Sequence, residues 1–175
     1  MSFCYSELIS LFNQCFAAST NTRLELSDGE PIYLPADSQI DHNRILFAHG
    51  FFASALHEVA HWLLAGEARR LQEDYGYWYC PDGRDGAQQS QFEDVEVKPQ
   101  AIEWALSLCC GFHFNVSCDN LNGSVEPDRH AFKARVREQA LRYVELGFPA
   151  RAQTLMQALA KHYDQPLPTV ESFSV

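Results

Sequence analysis

The chain has 175 residues, 46% of them apolar and 13% aromatic, with a formal net charge of −10. That length and apolar content suit one globular domain over residues 1–175 and exclude a disordered chain. The acidic balance repels phosphate backbones, so nucleic acid is a poor direct partner, while cationic ligands and basic patches are favoured.

No apolar run approaches the roughly 20 residues of a membrane span. The stretch Met1–Glu7 lacks the basic and apolar regions of a secretory leader. A cytoplasmic protein without membrane attachment is therefore expected. Six cysteines are present, none in a Cys-x-x-Cys pair. Reduced thiols are expected, and a zinc ribbon is not.

In chain order, Leu8, Leu11, Phe12, Cys15 and Phe16 recur at helical spacing, predicting an amphipathic helix over residues 5–16. Arg23–Leu26 and Ile32–Leu34 read as short strands around the turn Ser27-Asp28-Gly29, with Pro31 and Pro35 as stops. Arg44–His49 reads as a strand feeding a helix over Phe51–Ala65, for which Gly66 is the expected C-cap. That helix is apolar nearly all round, which marks it as buried.

Tyr75–Tyr79 suggests a strand, and Pro81-Asp82-Gly83-Arg84 a turn. Gln91–Val97 can be helical, with Pro99 starting or kinking a second helix through Cys110. Phe114–Cys118 reads as a strand and Asp119–Gly123 as a loop, before two amphipathic helices over about 128–146 and 150–163. A small sheet flanked by helices makes the class α+β.

The strongest chemical signal is His57-Glu58-Val59-Ala60-His61. Residues four apart share a helix face, so both imidazoles can converge on one ion. Glu58 lies one step round, within reach of a metal-bound water or a neighbouring ligand. Charged groups on so apolar a helix are costly without a ligand to satisfy them. Two histidines still need a third donor. Glu96, set between Val95 and Val97 ahead of Pro99, is the first candidate and Glu93 its rival; the other then belongs to a solvated helix face.

His49, at a strand end before Gly50, is either an acid–base partner or a simple hydrogen-bonding residue. Tyr77, Tyr79, Asp82 and Asp85 supply the aromatic faces and carboxylates that an ammonium pocket needs. A core strand followed by a salt-bridged turn would explain them equally well.

Several longer strings carry a family resemblance. They are Glu30-Pro31-Ile32-Tyr33-Leu34-Pro35-Ala36, Phe47-Ala48-His49-Gly50-Phe51 and His57-Glu58-x-x-His61-Trp62. Further along come the runs from Gly76 to Asp85, from Gln91 to Ala101 and from Phe114 to Asn120. Over roughly residues 5–165 the chain resembles the bacterial elongation factor P hydroxylases. The resemblance implies a protein hydroxylase acting on the β-lysylated lysine of elongation factor P, and a fold similar to a small metal-dependent endoribonuclease. It also implies a two-histidine, one-carboxylate site, which in this sequence maps to His57, His61 and Glu96.

Such a donor set leaves octahedral positions open for dioxygen, as non-haem iron(II) chemistry requires. Zinc has no accessible redox change for that task. The rival reading is a zinc metallopeptidase of the His-Glu-x-x-His type, in which Glu58 would be the general base.

Overall fold

The computed structural model describes residues 3–75 and 82–174. Helix α1 spans Tyr5–Thr20 and buries Leu8, Phe12 and Phe16, which share one face at four-residue spacing. Strands β1 (Thr22–Ser27), β2 (Ile32–Leu34) and β3 (Asn43–Ala48) form a three-stranded sheet in the order β1-β3-β2. The central strand pairs in parallel with β1 and antiparallel with β2. The strands flanking Ser27-Asp28-Gly29 are thus not partners of each other. Central β3 buries Ile45, Phe47 and Ala48.

Two of the three residues joining β3 to the next helix adopt left-handed backbone, His49 at φ 61° and Gly50 at φ 65°. At position 50 a Cβ would also stand 3.1 Å from the Tyr5 ring, so glycine suits the site twice over. Helix α2 (Phe52–Leu64) is the apolar helix anticipated from the sequence, burying Phe52, Ala55, Leu56, Val59, Ala60, Trp62 and Leu63. Its Trp62 ring packs edge-on against Phe12 and Phe16, at centroid distances of 5.2 and 5.0 Å.

The end of α2 differs from expectation. The cap is Ala65, whose N–H reaches the carbonyls of His61 and Trp62, and Gly66 is not left-handed. No αL turn is needed, because the chain leaves the helix in extended form.

Helix α3 (Gly86–Cys110) opens with a capping box between Asp85 and Gln88 and closes on left-handed Gly111. It corrects the expected break at Pro99, which lies inside one continuous 25-residue helix. A proline there removes one backbone bond, to the Val95 carbonyl. Packing against α2, α4 and α5 holds the helix through that missing bond. Helices α4 (Arg129–Leu146) and α5 (Ala150–His162) complete the framework. The tail then folds back, burying Phe173 against Trp104 at 5.4 Å between ring centroids.

A second correction concerns Phe114–Cys118, which joins no sheet. Side chains supply its backbone partners instead. Gln100 bonds both the N–H and carbonyl of Ser117, Gln89 the carbonyl of Cys118, and Arg129 that of Val116. Of the expected strand Tyr75–Tyr79 only Tyr75 lies among the described residues, just after an isolated bridge between Tyr33 and Asp74. The architecture is α+β: among the described residues, five α-helices accompany a small sheet. Among the described residues, no helix is long and apolar enough to cross a membrane.

Candidate metal centre

His57 and His61 sit one turn apart on α2, with ring centroids separated by 4.8 Å. Their Nε2 atoms face each other at 3.2 Å. Glu96 reaches in from α3, with Oε1 3.1 Å from Nε2 of His61 and Oε2 3.7 Å from Nε2 of His57. One donor atom from each residue lies within 4.8 Å of the other two. Cis ligands on an octahedral ion, bound at about 2.1 Å each, stand about 3 Å apart, so the spacing fits one ion. Two imidazoles and a carboxylate, with no thiolate, suit a borderline divalent metal.

Helix periodicity explains how α3 serves the site. Gln89, Glu93, Glu96, Gln100 and Glu103 recur every three or four residues and form a polar stripe on a largely buried face. Gln100 Nε2 donates to Glu96 Oε2 at 3.2 Å, and Glu103 Oε2 stands 2.8 Å from Nδ1 of His57. Neither Gln100 nor Glu103 stands out as a site residue in the sequence. For Glu103 the available signal is an acid inside the apolar run Ala101-Ile102-Glu103-Trp104-Ala105, seven residues after Glu96.

Charge and burial compete here. Burial disfavours a charged His57 ring, but the charge and hydrogen bond of Glu103, helped by Glu96, raise its pKa to about 10. Burial likewise opposes ionised Glu96, yet the charge and hydrogen bond of His61, with His57 and Gln100, bring it down to about 2. Burial pushes Glu58 above the usual carboxylate range, against the pull of both histidines.

The other expected site residues are placed differently. Glu58 is half-buried and lines a cavity with Tyr33, Ile45, His61, Trp62 and Asp74, between α2 and the sheet. Exposed His49 stays in the β3–α2 turn, its ring 6.3 Å from that of Phe51, outside the donor group. Glu93 is turned away as well, accepting from Gln89 and pairing with Arg135 of α4. Asp82 accepts from the backbone N–H groups of Gly83 and Asn122 and from the Asn122 amide. Asp85 caps α3. Tyr77 and Tyr79 lie outside the described residues.

The basic residues of α4 are largely engaged within the molecule. Arg129 pairs with Asp119, Arg135 with Glu93 and Asp94, and Arg142 with Glu138, while Arg137 bonds the Phe173 carbonyl.

The model of one protein family, described as elongation factor P hydroxylase, matches residues 11–173. The chain belongs to that family. A relative from Haemophilus influenzae, named elongation factor P lysine hydroxylase, is 54% identical over 157 residues, covering 90% of this chain and 88% of that protein. Family membership makes the chain a hydroxylase, an oxidoreductase by chemistry, and gives the metallopeptidase alternative no support.

Proposed function

We propose that this chain hydroxylates the β-lysylated lysine of elongation factor P, using a non-haem iron(II) centre, dioxygen and an external two-electron reductant that takes the second oxygen atom to water. One observation carries the reading. In a member of this hydroxylase family, His57, His61 and buried Glu96 converge as a two-nitrogen, one-oxygen donor set. All three donors come from two packed helices, so the set is held by the core and not by a loop.

The three side chains would grip an ion from one side and leave its remaining positions to dioxygen and substrate. When bound, iron(II) supplies the redox change that dioxygen chemistry requires and zinc lacks. Glu58 and His49 are the candidate proton-handling groups. Glu58 has the stronger support, since it borders the same cavity as His61. Tyr77, Tyr79, Asp82 and Asp85 are proposed to contact the ammonium-bearing substrate, and a net charge of −10 favours its approach. Asp82 and Asp85 already serve backbone donors, which leaves the tyrosines the larger share.

Residues 1–175 act on this reading as a single cytoplasmic hydroxylase domain, with a fold like that of a small metal-dependent endoribonuclease. The test incubates iron-loaded protein with β-lysylated elongation factor P and excess ascorbate as reductant, in air and under argon, then weighs the product. An oxygen-dependent gain of one oxygen atom is expected, and its absence would sink the proposal. Replacing His57, His61 or Glu96 with alanine should abolish the gain.

A further inference from the structure

Glu103 is 7% exposed and lies among Ala101, Ile102, Trp104 and Ala105, all of them buried. A carboxylate in such surroundings needs a partner. Among the described residues its one hydrogen-bonded side chain is His57, at 2.8 Å from Oε2 to Nδ1. Glu96 and Glu103 are two helical turns apart on α3, about 10 Å along its axis. The helix therefore meets His57 twice, with Glu96 near Nε2 and Glu103 at the opposite ring nitrogen.

From this geometry we infer that Glu103 is a positioning residue. It accepts the Nδ1–H of His57 and so turns the Nε2 lone pair towards the ion. A carboxylate behind a ligating imidazole fixes both tautomer and ring angle. His61 is held differently: its hydrogen bonds among the described residues run through Nε2 alone. Glu103 thus makes the two histidines unequal, one clamped from behind and the other set by its helix and by Glu96.

The inference rests on the metal-site reading above, and its test separates the two. Zinc affinity by chelator competition and ring 15N–1H spectra of the zinc-loaded full chain are compared for wild type, Glu103→Ala, Glu103→Gln and His57→Ala. Glu103→Ala should weaken zinc about 10- to 100-fold and erase the slowly exchanging Nδ1–H signal of His57. Glu103→Gln keeps an acceptor, so the signal should persist, shifted upfield, with a loss of about tenfold or less. The Gln variant also decides the matter if the Ala variant does not fold. Zinc affinity within about twofold of wild type in Glu103→Ala, a spectrum unchanged in Glu103→Gln, or zinc bound through Nδ1 overturns the inference while the metal site stands. If wild type binds no zinc, or His57→Ala binds it equally well, the metal site and the inference fall together.

Discussion

The side-chain amide of Gln100 lies alongside the backbone of Ser117, donating to its carbonyl at 2.7 Å and accepting from its N–H at 2.9 Å. It does for one residue what a neighbouring strand would do. The same Nε2 donates to Glu96, so a single amide joins the extended segment to a candidate ligand.

Gln100→Leu keeps the volume and removes every one of these bonds. It should cost about 1–3 kcal/mol, because the amide is buried and two backbone groups lose their partner. Urea unfolding of the metal-free protein measures this, and a cost below about 0.5 kcal/mol would show that water replaces the amide. Metal affinity should fall too, since Glu96 loses its donor.

This clamp also marks what sequence reading could reach. Helices α1, α2, α4 and α5 declare themselves through local apolar spacing, and the candidate donors His57 and His61 through a short motif. Phe114–Cys118 carries the alternation of a strand but finds a helix instead of a sheet. Period-2 patterning reports which side is buried, not what supplies the backbone bonds. Pro99 misleads in the opposite direction: its local penalty is genuine, but contacts with three other helices override it. The apolar run around Glu103 shows that it needs a partner but not which one, because His57 is 46 residues away, beyond any local window.

Metal uptake should expel a proton. With its pKa raised to about 10, His57 is protonated at neutral pH in the metal-free protein, whereas Glu96, lowered to about 2, is already ionised. An ion can take the His57 lone pair only as the proton leaves. Calorimetry at pH 7.5 in buffers of differing ionisation enthalpy should report release of about one proton per ion, with affinity rising up to about pH 10. The same proton supports the metal-free fold. Because the folded value lies above 6.5, its contribution is complete below pH 6.5 and is lost as pH rises through about 10. The Tm of the metal-free protein should accordingly sag over that range, and zinc should flatten the decline. Metal uptake without proton release would mean that His57 is already neutral in the metal-free protein, with Nδ1–H still on Glu103.

Thiol chemistry should divide the cysteines by depth. Burial pushes Cys109 up to about 12 and raises Cys110 and Cys118 as well. Exposed Cys4 is lowered, chiefly by hydrogen bonds from Ser6. Since the thiolate is the reactive form, brief iodoacetamide treatment at pH 8 should label Cys4 while leaving Cys109, Cys110 and Cys118 unmodified until the protein is denatured. Peptide mass mapping reads the pattern. Early labelling of Cys109 or Cys110 would mean that the α3 core opens readily.

The loop after Cys118 is bound to the turn ahead of α3 by Asn120. Its Oδ1 accepts the Arg84 N–H at 2.7 Å, and its Nδ2 donates to the carbonyls of Arg84 and Val125 at 2.7 and 3.3 Å. The Arg84 guanidinium packs 3.9 Å from the Phe92 ring centroid and donates to Gln89, extending the join to α3. Gly123 makes room for this amide: a Cβ there would stand 1.8 Å from Nδ2 of Asn120. A free amide could swing aside cheaply, but this one is held by three bonds. Gly123→Ala should therefore destabilise by about 1–3 kcal/mol through overpacking. In an Asn120→Ala background the obstacle is gone, and the same substitution should cost nearly nothing. A double-mutant cycle in urea gives the coupling directly, and strict additivity would mean that Gly123 is required for some reason other than the Asn120 amide.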